Sequence, residues 1–198
     1  MIAEAVEPTN QVELTRHRFS VGEYLRIVEA SLLGEDSRVE LLWGEIVETS
    51  PIHVAHTSTL NQLVWLLTNI LGKQVILGVQ NPVQLDDKSL PQPDVAVLQF
   101  QNDFYKEQYP GSDDTLLLNE VADSSLRYDQ RIRSKLYGAA GIADYWIVNL
   151  SARQIEVYRE PQQDGYRTVT RYAPGESLLP LAITDVSLSA SEILGMAA

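Results

Sequence analysis

Two acidic residues stand at the edges of apolar segments, a pattern that can place carboxylates beside a metal ion. Asp94 follows a proline and opens one apolar stretch, and Glu120 closes a second apolar run that begins at Leu116. An ionised carboxylate within such a run is costly unless it is paired or bound to a metal. Carboxylates on neighbouring strands could therefore hold a divalent cation, and such an ion activates water for phosphodiester hydrolysis.

Each acidic residue also has a purely structural interpretation. Glu120 could face water at the end of its strand or pair with an arginine, and a Pro-Asp pair ahead of a strand is common in turns. The two residues together favour a functional site, because strands that end at comparable heights can bring both carboxylates to one ion. The sequence alone does not establish the distance between them.

A helix predicted after Glu120 carries the basic residues that such a site needs. Asp129, Arg133 and Tyr137 are spaced at i, i+4 and i+8 and share one stripe of that helix. Lys135 lies roughly 200° around the helix from Arg133, on another face. The structural interpretation of the stripe is an ordinary ion pair between Asp129 and Arg133, which contributes a few tenths of a kcal/mol.

Three further polar residues are candidates for the same site. Glu40, in a predicted hairpin, is either a third acidic ligand or a solvent-facing strand residue. His56, near the start of a long predicted helix, either contacts a phosphate or carries a proton, or it is a helix cap or a satisfied residue at the edge of the core. Arg131 belongs to a short basic cluster beside the proposed site, which comprises Arg127, Arg131, Arg133 and Lys135.

The composition limits the classes of chemistry and of partner. The chain has 198 residues and no cysteine, which excludes disulfides, thiolate zinc sites and cysteine nucleophiles. It contains no glycine-rich phosphate loop and no Gly-x-Ser-x-Gly or His-Glu-x-x-His motif. The net charge is −12 and no basic stripe is visible in the sequence, which weighs against tight, non-specific binding of duplex DNA.

The order of predicted elements, α-ββ-α-βββ-α-βββ, indicates a mixed sheet flanked by helices. We expect a flexible N-terminal arm at residues 1–17 and a single domain at residues 18–198. The main helices are expected at residues 21–33, at 54–71 and from Ser124 or Ser125 to Gly141, and a short terminal helix at 189–196. Val28 and Leu32 of the first helix are expected to face inward, and Trp65 and Trp146 are assigned to the core. With no signal peptide and no membrane-spanning segment, we expect a soluble, cytoplasmic protein without a membrane partner.

Four blocks of this sequence resemble the Uma-two family of restriction-endonuclease-like proteins. They are residues 38–48 (RVELLWGEIVE), 92–97 (QPDVAV), 120–125 (EVADSS) and 137–148 (YGAAGIADYWIV). Their order and spacing match over about residues 19–195. The family is placed in the PD-(D/E)XK nuclease superfamily, which implies an αβββαβ core and Mg²⁺-dependent hydrolysis of phosphodiester bonds.

The resemblance also implies roles for individual residues. Asp94 looks like the motif aspartate and Glu120 like its second acid, whereas the motif lysine falls at Ala122, which cannot serve. The family's cation is thought to lie on the following helix, and that position is Arg133 here. Arginine stabilises anionic charge but cannot accept a proton near neutral pH. Either Arg133 acts electrostatically, or Lys135 reaches the site, or catalysis is impaired.

These observations lead to one fold and two functional hypotheses. We expect an α/β (α+β), restriction-endonuclease-like mixed sheet flanked by helices, with an αβββαβ core, an extra N-terminal hairpin and C-terminal strands. The first hypothesis is a Mg²⁺-dependent endonuclease that acts on nucleic acid, with DNA favoured. The alternative is a non-catalytic dimeric interaction or regulatory module that retains the nuclease fold.

For the nuclease, we expect Mg²⁺ or Mn²⁺ to be bound by Asp94 and Glu120, with Glu40 assisting. The expected catalytic set is Asp94, Glu120, Arg133 and Lys135, and the expected substrate contacts are His56, Tyr137 and Arg131. We also expect a homodimer, because the hairpins and the aromatic-rich strand after Asp144 would offer apolar surface.

Overall fold

The computed structural model describes residues 15–33, 38–49 and 53–196. Most of the expected N-terminal arm, residues 1–14, lies outside these ranges. Helix α1 (Val21–Glu29) begins at a capping box in which Ser20 and Glu23 exchange hydrogen bonds. A hairpin of β1 (Val39–Leu42) and β2 (Glu45–Glu48) follows, as predicted. Trp43 and Gly44 at its tip both have positive φ, which a two-residue hairpin turn requires.

A six-stranded sheet follows the long helix α2 (Val54–Leu71). Neighbouring strands are antiparallel except the central pair, β5 and β6, which are parallel because a helical crossover joins them. In spatial order the strands are β3 (Val75–Val79), β4 (Val95–Gln99), β5 (Thr115–Ala122), β6 (Asp144–Asn149), β7 (Gln154–Gln162) and β8 (Gly165–Tyr172). The mixed sheet flanked by helices, with its αβββαβ core, confirms the predicted fold class.

The crossover between β5 and β6 is one helical segment with an irregular centre. It consists of α3 (Leu126–Tyr128), a π-helical turn (Asp129–Arg133) and α4 (Ser134–Ala139). At the C-terminal end, β9 (Ser177–Leu178) pairs with β10 (Leu188–Ser189), and α5 (Ala190–Ile193) follows. The terminal helix is therefore shorter than the predicted range of residues 189–196.

The sheet buries a different helix on each of its faces. Leu63 and Leu67 of α2 pack with Leu117 and other apolar residues on one face. Leu136 and Tyr137 of α4 pack with residues such as Leu118 on the other. Central strands covered on both faces have nearly continuous apolar sequences, which explains the run that contains Glu120.

Several predicted core positions are exposed. Helix α1 ends at Glu29, before the predicted residue 33, and Val28 and Leu32 are 44% and 74% exposed. Trp65 was assigned to the core, but it is 66% exposed because it lies off the buried stripe of α2. That stripe is formed by Leu60, Leu63, Leu67 and Leu71, whereas the predicted core residue Trp146 is fully buried.

The strand after Asp144 offers no surface for dimerisation. Strand β6 lies between β5 and β7, and all six of its residues are buried. Tyr145 and Trp146 therefore face the two cores, so the surface expected there is not exposed, and the homodimer stays a prediction. Over residues 15–33, 38–49 and 53–196, no helix is long and apolar enough to cross a membrane.

Candidate functional site

A cavity of about 360 Å³ lies where the first hairpin, the start of α2 and the crossover helix meet the ends of β4 and β5. Its lining combines predicted site residues with polar residues that the sequence did not single out. The predicted ones are His56, Asp94, Glu120, Arg133 and Asp129 of the helical stripe, and the others include Arg38, His53, Gln80, Gln92 and Tyr128.

The pairing of β4 with β5 brings the two predicted metal ligands together. The register that places Val95 opposite Asn119 sets Asp94 beside Glu120. The main-chain N–H of Asp94 donates to Oε2 of Glu120 at 3.3 Å, and the N–H of Val121 donates to Oδ2 of Asp94 at 2.9 Å. Both carboxylates line the cavity, so one ion could contact both.

Asp94 is held by two further side chains. Nε2 of His56 lies 2.9 Å from its Oδ2, and Nε2 of Gln80 donates to its Oδ1 at 3.2 Å. Burial alone would raise the pKa of Asp94, but the hydrogen bond and charge of His56 lower it overall. The same hydrogen bond raises the pKa of His56, which favours the protonated ring.

Glu120 is more deeply buried than Asp94. Its Oε1 accepts hydrogen bonds from Nη1 of Arg133 at 2.6 Å and from the Tyr137 hydroxyl at 2.8 Å. Burial raises the pKa of Glu120 well above its ordinary value, Arg133 opposes this rise, and the nearby charge of Asp94 adds to it. A further cation beside Asp94 would stabilise the ionised form of Glu120.

Arg133 lies among three carboxylates that come from different parts of the chain. Its Nη2 donates to both oxygens of Glu40 at 3.1 Å, and its Nε lies 3.5 Å from Oδ1 of Asp129. With its bond to Glu120, the guanidinium therefore joins β1, β5 and the crossover helix. Its side chain is only 7% exposed.

Glu40 is fully buried and is not part of the cavity lining. Besides Arg133, it accepts hydrogen bonds from the N–H of Gln92 and from the Tyr128 hydroxyl, both at 3.0 Å. Both of its oxygens therefore have protein donors. Its role as a metal ligand stays a prediction, and its contacts are those of a residue that anchors Arg133.

The predicted stripe of the crossover helix is formed through the π-helical turn. Asp129 contacts Arg133, and Nη1 of Arg133 donates to the Tyr137 hydroxyl at 2.7 Å. Tyr137 is buried and does not line the cavity. The hydroxyl of Ser125, the residue before α3, makes no capping hydrogen bond to the main chain and donates to Oδ2 of Asp129 at 2.7 Å. Burial raises the pKa of Asp129 to about 6, although Arg133 opposes the shift.

The remaining predicted residues lie elsewhere. Lys135 and Arg131 are exposed, and neither lines the cavity. Gln80, Gln92 and Tyr128, in contrast, line the cavity but were not predicted, because the prediction rested on charged residues. Gln92 stands in the same block as Asp94, which was its only signal, whereas Tyr128 lies one residue before Asp129 and off the stripe.

The donor set fits a divalent ion held by two carboxylates. No group of three or more acidic or histidine side chains within the described ranges could hold a metal. Mg²⁺, however, is commonly bound by one or two carboxylates and keeps several waters. Glu40, Glu120 and Asp129 contact one guanidinium, and Asp94 lies beside Glu120 and raises its pKa, so a divalent ion between Asp94 and Glu120 would reduce the repulsion between these carboxylates.

Comparisons with known proteins agree with this fold. A crystal structure of "a putative nuclease belonging to DUF820" from Anabaena variabilis is similar, with a TM-score of 0.65, 14% identity, and coverage of 89% of this chain and 98% of that chain. At this identity the likeness shows the fold alone. A search of curated proteins found no match. The family model Uma2, described as "Putative restriction endonuclease", matches residues 21–191. The chain therefore belongs to the Uma2 family.

Proposed function

We propose that the protein is a metal-dependent endonuclease that hydrolyses phosphodiester bonds of nucleic acid. One observation carries the proposal: Asp94 and Glu120 are adjacent across two strands and line the same cavity. The description of the family supports the same class of reaction. The two carboxylates are the hard oxygen donors that Mg²⁺ and Mn²⁺ prefer.

Asp94 and Glu120 would hold Mg²⁺ or Mn²⁺, which when bound supplies an activated water and a Lewis acid for the phosphate. The lowered pKa of Asp94 keeps its carboxylate ionised near neutral pH, ready for a cation. Hydrogen bonds from Gln80 and Val121 fix the orientation of that carboxylate. His56, with its raised pKa, holds a proton at the wall of the cavity and adds positive charge near a bound phosphate.

The choice of substrate is constrained by charge. Tight binding to duplex DNA is driven by basic residues that release counterions from the phosphates, and a chain with a net charge of −12 is poorly suited to this. We therefore propose nucleic acid as the substrate without choosing between its forms. The assay should include single-stranded and double-stranded forms of both DNA and RNA at low salt.

The test is a cleavage assay with Mg²⁺ or Mn²⁺ beside the variant Asp94→Asn. We expect cleavage by the wild-type protein that EDTA stops and that Asp94→Asn lacks. Equal residual cleavage by the two proteins would show that a contaminant is responsible and would reject the catalytic proposal.

A second candidate is the non-catalytic dimeric module, and one observation favours it. Across the described residues, no lysine lines the cavity, and arginine cannot accept a proton near neutral pH. This candidate predicts no heat in calorimetric titration with Mn²⁺ and a dimer by light scattering. A single species of 22.1 kDa would reject the dimer.

A further inference from the structure

We infer that Arg133 is a positioning residue. With the help of Glu40 and Tyr137 it holds the carboxylate of Glu120 in place, and it does not contact the substrate. The inference rests on the proposed function, because it concerns how the same site holds its metal. It assigns Arg133 a different role from the phosphate contact that its charge first suggests.

Both terminal nitrogens of Arg133 already donate to protein acceptors. A guanidinium has five N–H donors on three nitrogens. Nη1 donates to Glu120 at 2.6 Å and to the Tyr137 hydroxyl at 2.7 Å, and Nη2 donates to both oxygens of Glu40 at 3.1 Å. Nε forms a longer ion pair with Asp129 at 3.5 Å. A phosphate oxygen that binds Nη1 or Nη2 would therefore have to displace a protein acceptor.

Glu40 makes this arrangement rigid. It is completely buried, and donors from Gln92 and Tyr128 hold it from two other directions. Gln92 lies two residues before Asp94, so Glu40 is linked by one contact to the Asp94 segment and by Arg133 to Glu120. One buried carboxylate thus connects the supports of both proposed metal ligands.

Tyr137 completes the support of Glu120. Its hydroxyl accepts from Arg133 and donates to Oε1 of Glu120 at 2.8 Å. Oε1 is therefore occupied by two donors, while Oε2 accepts the N–H of Asp94. The arrangement orients Glu120 so that Oε2 is the oxygen beside Asp94, where the ion would lie.

The two roles of Arg133 predict different results in the absence of nucleic acid. A residue that contacts phosphate leaves the affinity for the metal unchanged, whereas a residue that orients a ligand alters it. Replacement of such supporting groups typically lowers metal affinity about 10–100-fold. Arg133→Lys keeps the charge but cannot reproduce the fork of donors. Tyr137→Phe removes only the hydroxyl.

The experiment is calorimetric titration of the nucleic-acid-free protein with Mn²⁺. We expect the Kd for Mn²⁺ to rise about 10-fold or more in Arg133→Lys and to rise in the same direction in Tyr137→Phe. Arg167→Lys is the matched control, because Arg167 of β8 forms an exposed ion pair with Glu160 of the neighbouring strand β7. Its Kd should equal that of the wild-type protein.

Circular dichroism first shows which variants fold. If Arg133→Lys does not fold, the Kd of Tyr137→Phe provides the test. An unchanged Kd in the folded variants would overturn the positioning role and leave the proposed function standing. Absence of Mn²⁺ binding by the wild-type protein would overturn both. A raised Kd in every folded variant of the pair, with Arg167→Lys unchanged, supports the inference.

Discussion

The main-chain N–H of Asp94 donates to Oε2 of Glu120 at 3.3 Å, which makes these two acids neighbours across the β4–β5 pair. Their proximity is costly without a cation, because Asp94 contributes to the raised pKa of Glu120. Among the described residues that contact Glu120, Arg133 carries the only guanidinium. The same group also pairs with Glu40 and Asp129.

Mn²⁺ should stabilise the wild-type protein against thermal unfolding, because a ligand that binds only the folded state adds stability. At a concentration about 100 times the Kd the gain is about 2.7 kcal/mol. Glu120→Gln should lose this gain, since it removes a charged ligand. The measurement is the shift in Tm with and without Mn²⁺, and an equal shift in Glu120→Gln would contradict the assigned ligand.

Glu40→Ala should lower the free energy of unfolding by about 3–5 kcal/mol, because it leaves Arg133 buried with one partner missing. Glu45→Ala, in the same hairpin, is the control. The pair between Arg18 and Glu45 is 42% and 49% exposed, so its loss should cost less than about 1 kcal/mol. Urea unfolding measures both values, and similar losses would contradict the buried network.

Gly138→Ala should destabilise the protein because α4 packs directly on β8. A Cβ at Gly138 would lie 2.0 Å from the carbonyl oxygen of Gly165, a main-chain atom that cannot rotate away. We expect a loss of at least about 1–3 kcal/mol. Gly22→Ala in α1 meets nothing within 4 Å and should instead add about 0.5–1 kcal/mol. Urea unfolding compares the two, and equal effects would reject the close contact.

Glu156 should contribute to acid sensitivity. Burial alone would raise its pKa, but hydrogen bonds from Asn149, Gln130, Tyr158 and Gln154 lower it below the ordinary 4.5. A carboxyl with a lowered folded-state pKa stabilises the protein above the unfolded-state pKa, and this contribution is lost as the pH falls through the folded-state value.

The free energy of unfolding of Glu156→Gln should therefore depend less on pH below about 4.5 than that of the wild-type protein. Unfolding in urea between neutral pH and pH about 3 tests this. Glu160→Gln, which changes an exposed acid of the same strand, should follow the wild-type curve. Parallel curves for Glu156→Gln and the wild-type protein would contradict the lowered pKa.

Local patterns in the sequence were sufficient for most of the elements. The helix predicted at residues 54–71, the hairpin that contains Glu40 and the apolar runs of β4 and β5 depend on neighbours along the chain, and the structure confirms them. The extent of α1 and the exposure of Trp65 were predicted wrongly. The exposure of Trp65 depends on which face of α2 meets the sheet, whereas α1 packs against Leu41 and Leu90 beside the first hairpin. The pattern of apolar residues alone does not define the limits of either contact.

For the site, the sequence determined the types of residue: the two acids near strand ends, and the Asp129–Arg133–Tyr137 stripe that the structure brings into contact. Only the tertiary structure decided how they combine. The register of β4 with β5 sets Asp94 beside Glu120, and the π-helical turn and the buried Glu40 occupy the donors of Arg133. These contacts join residues up to 93 positions apart, and no local periodicity encodes which distant carboxylate will reach a given guanidinium.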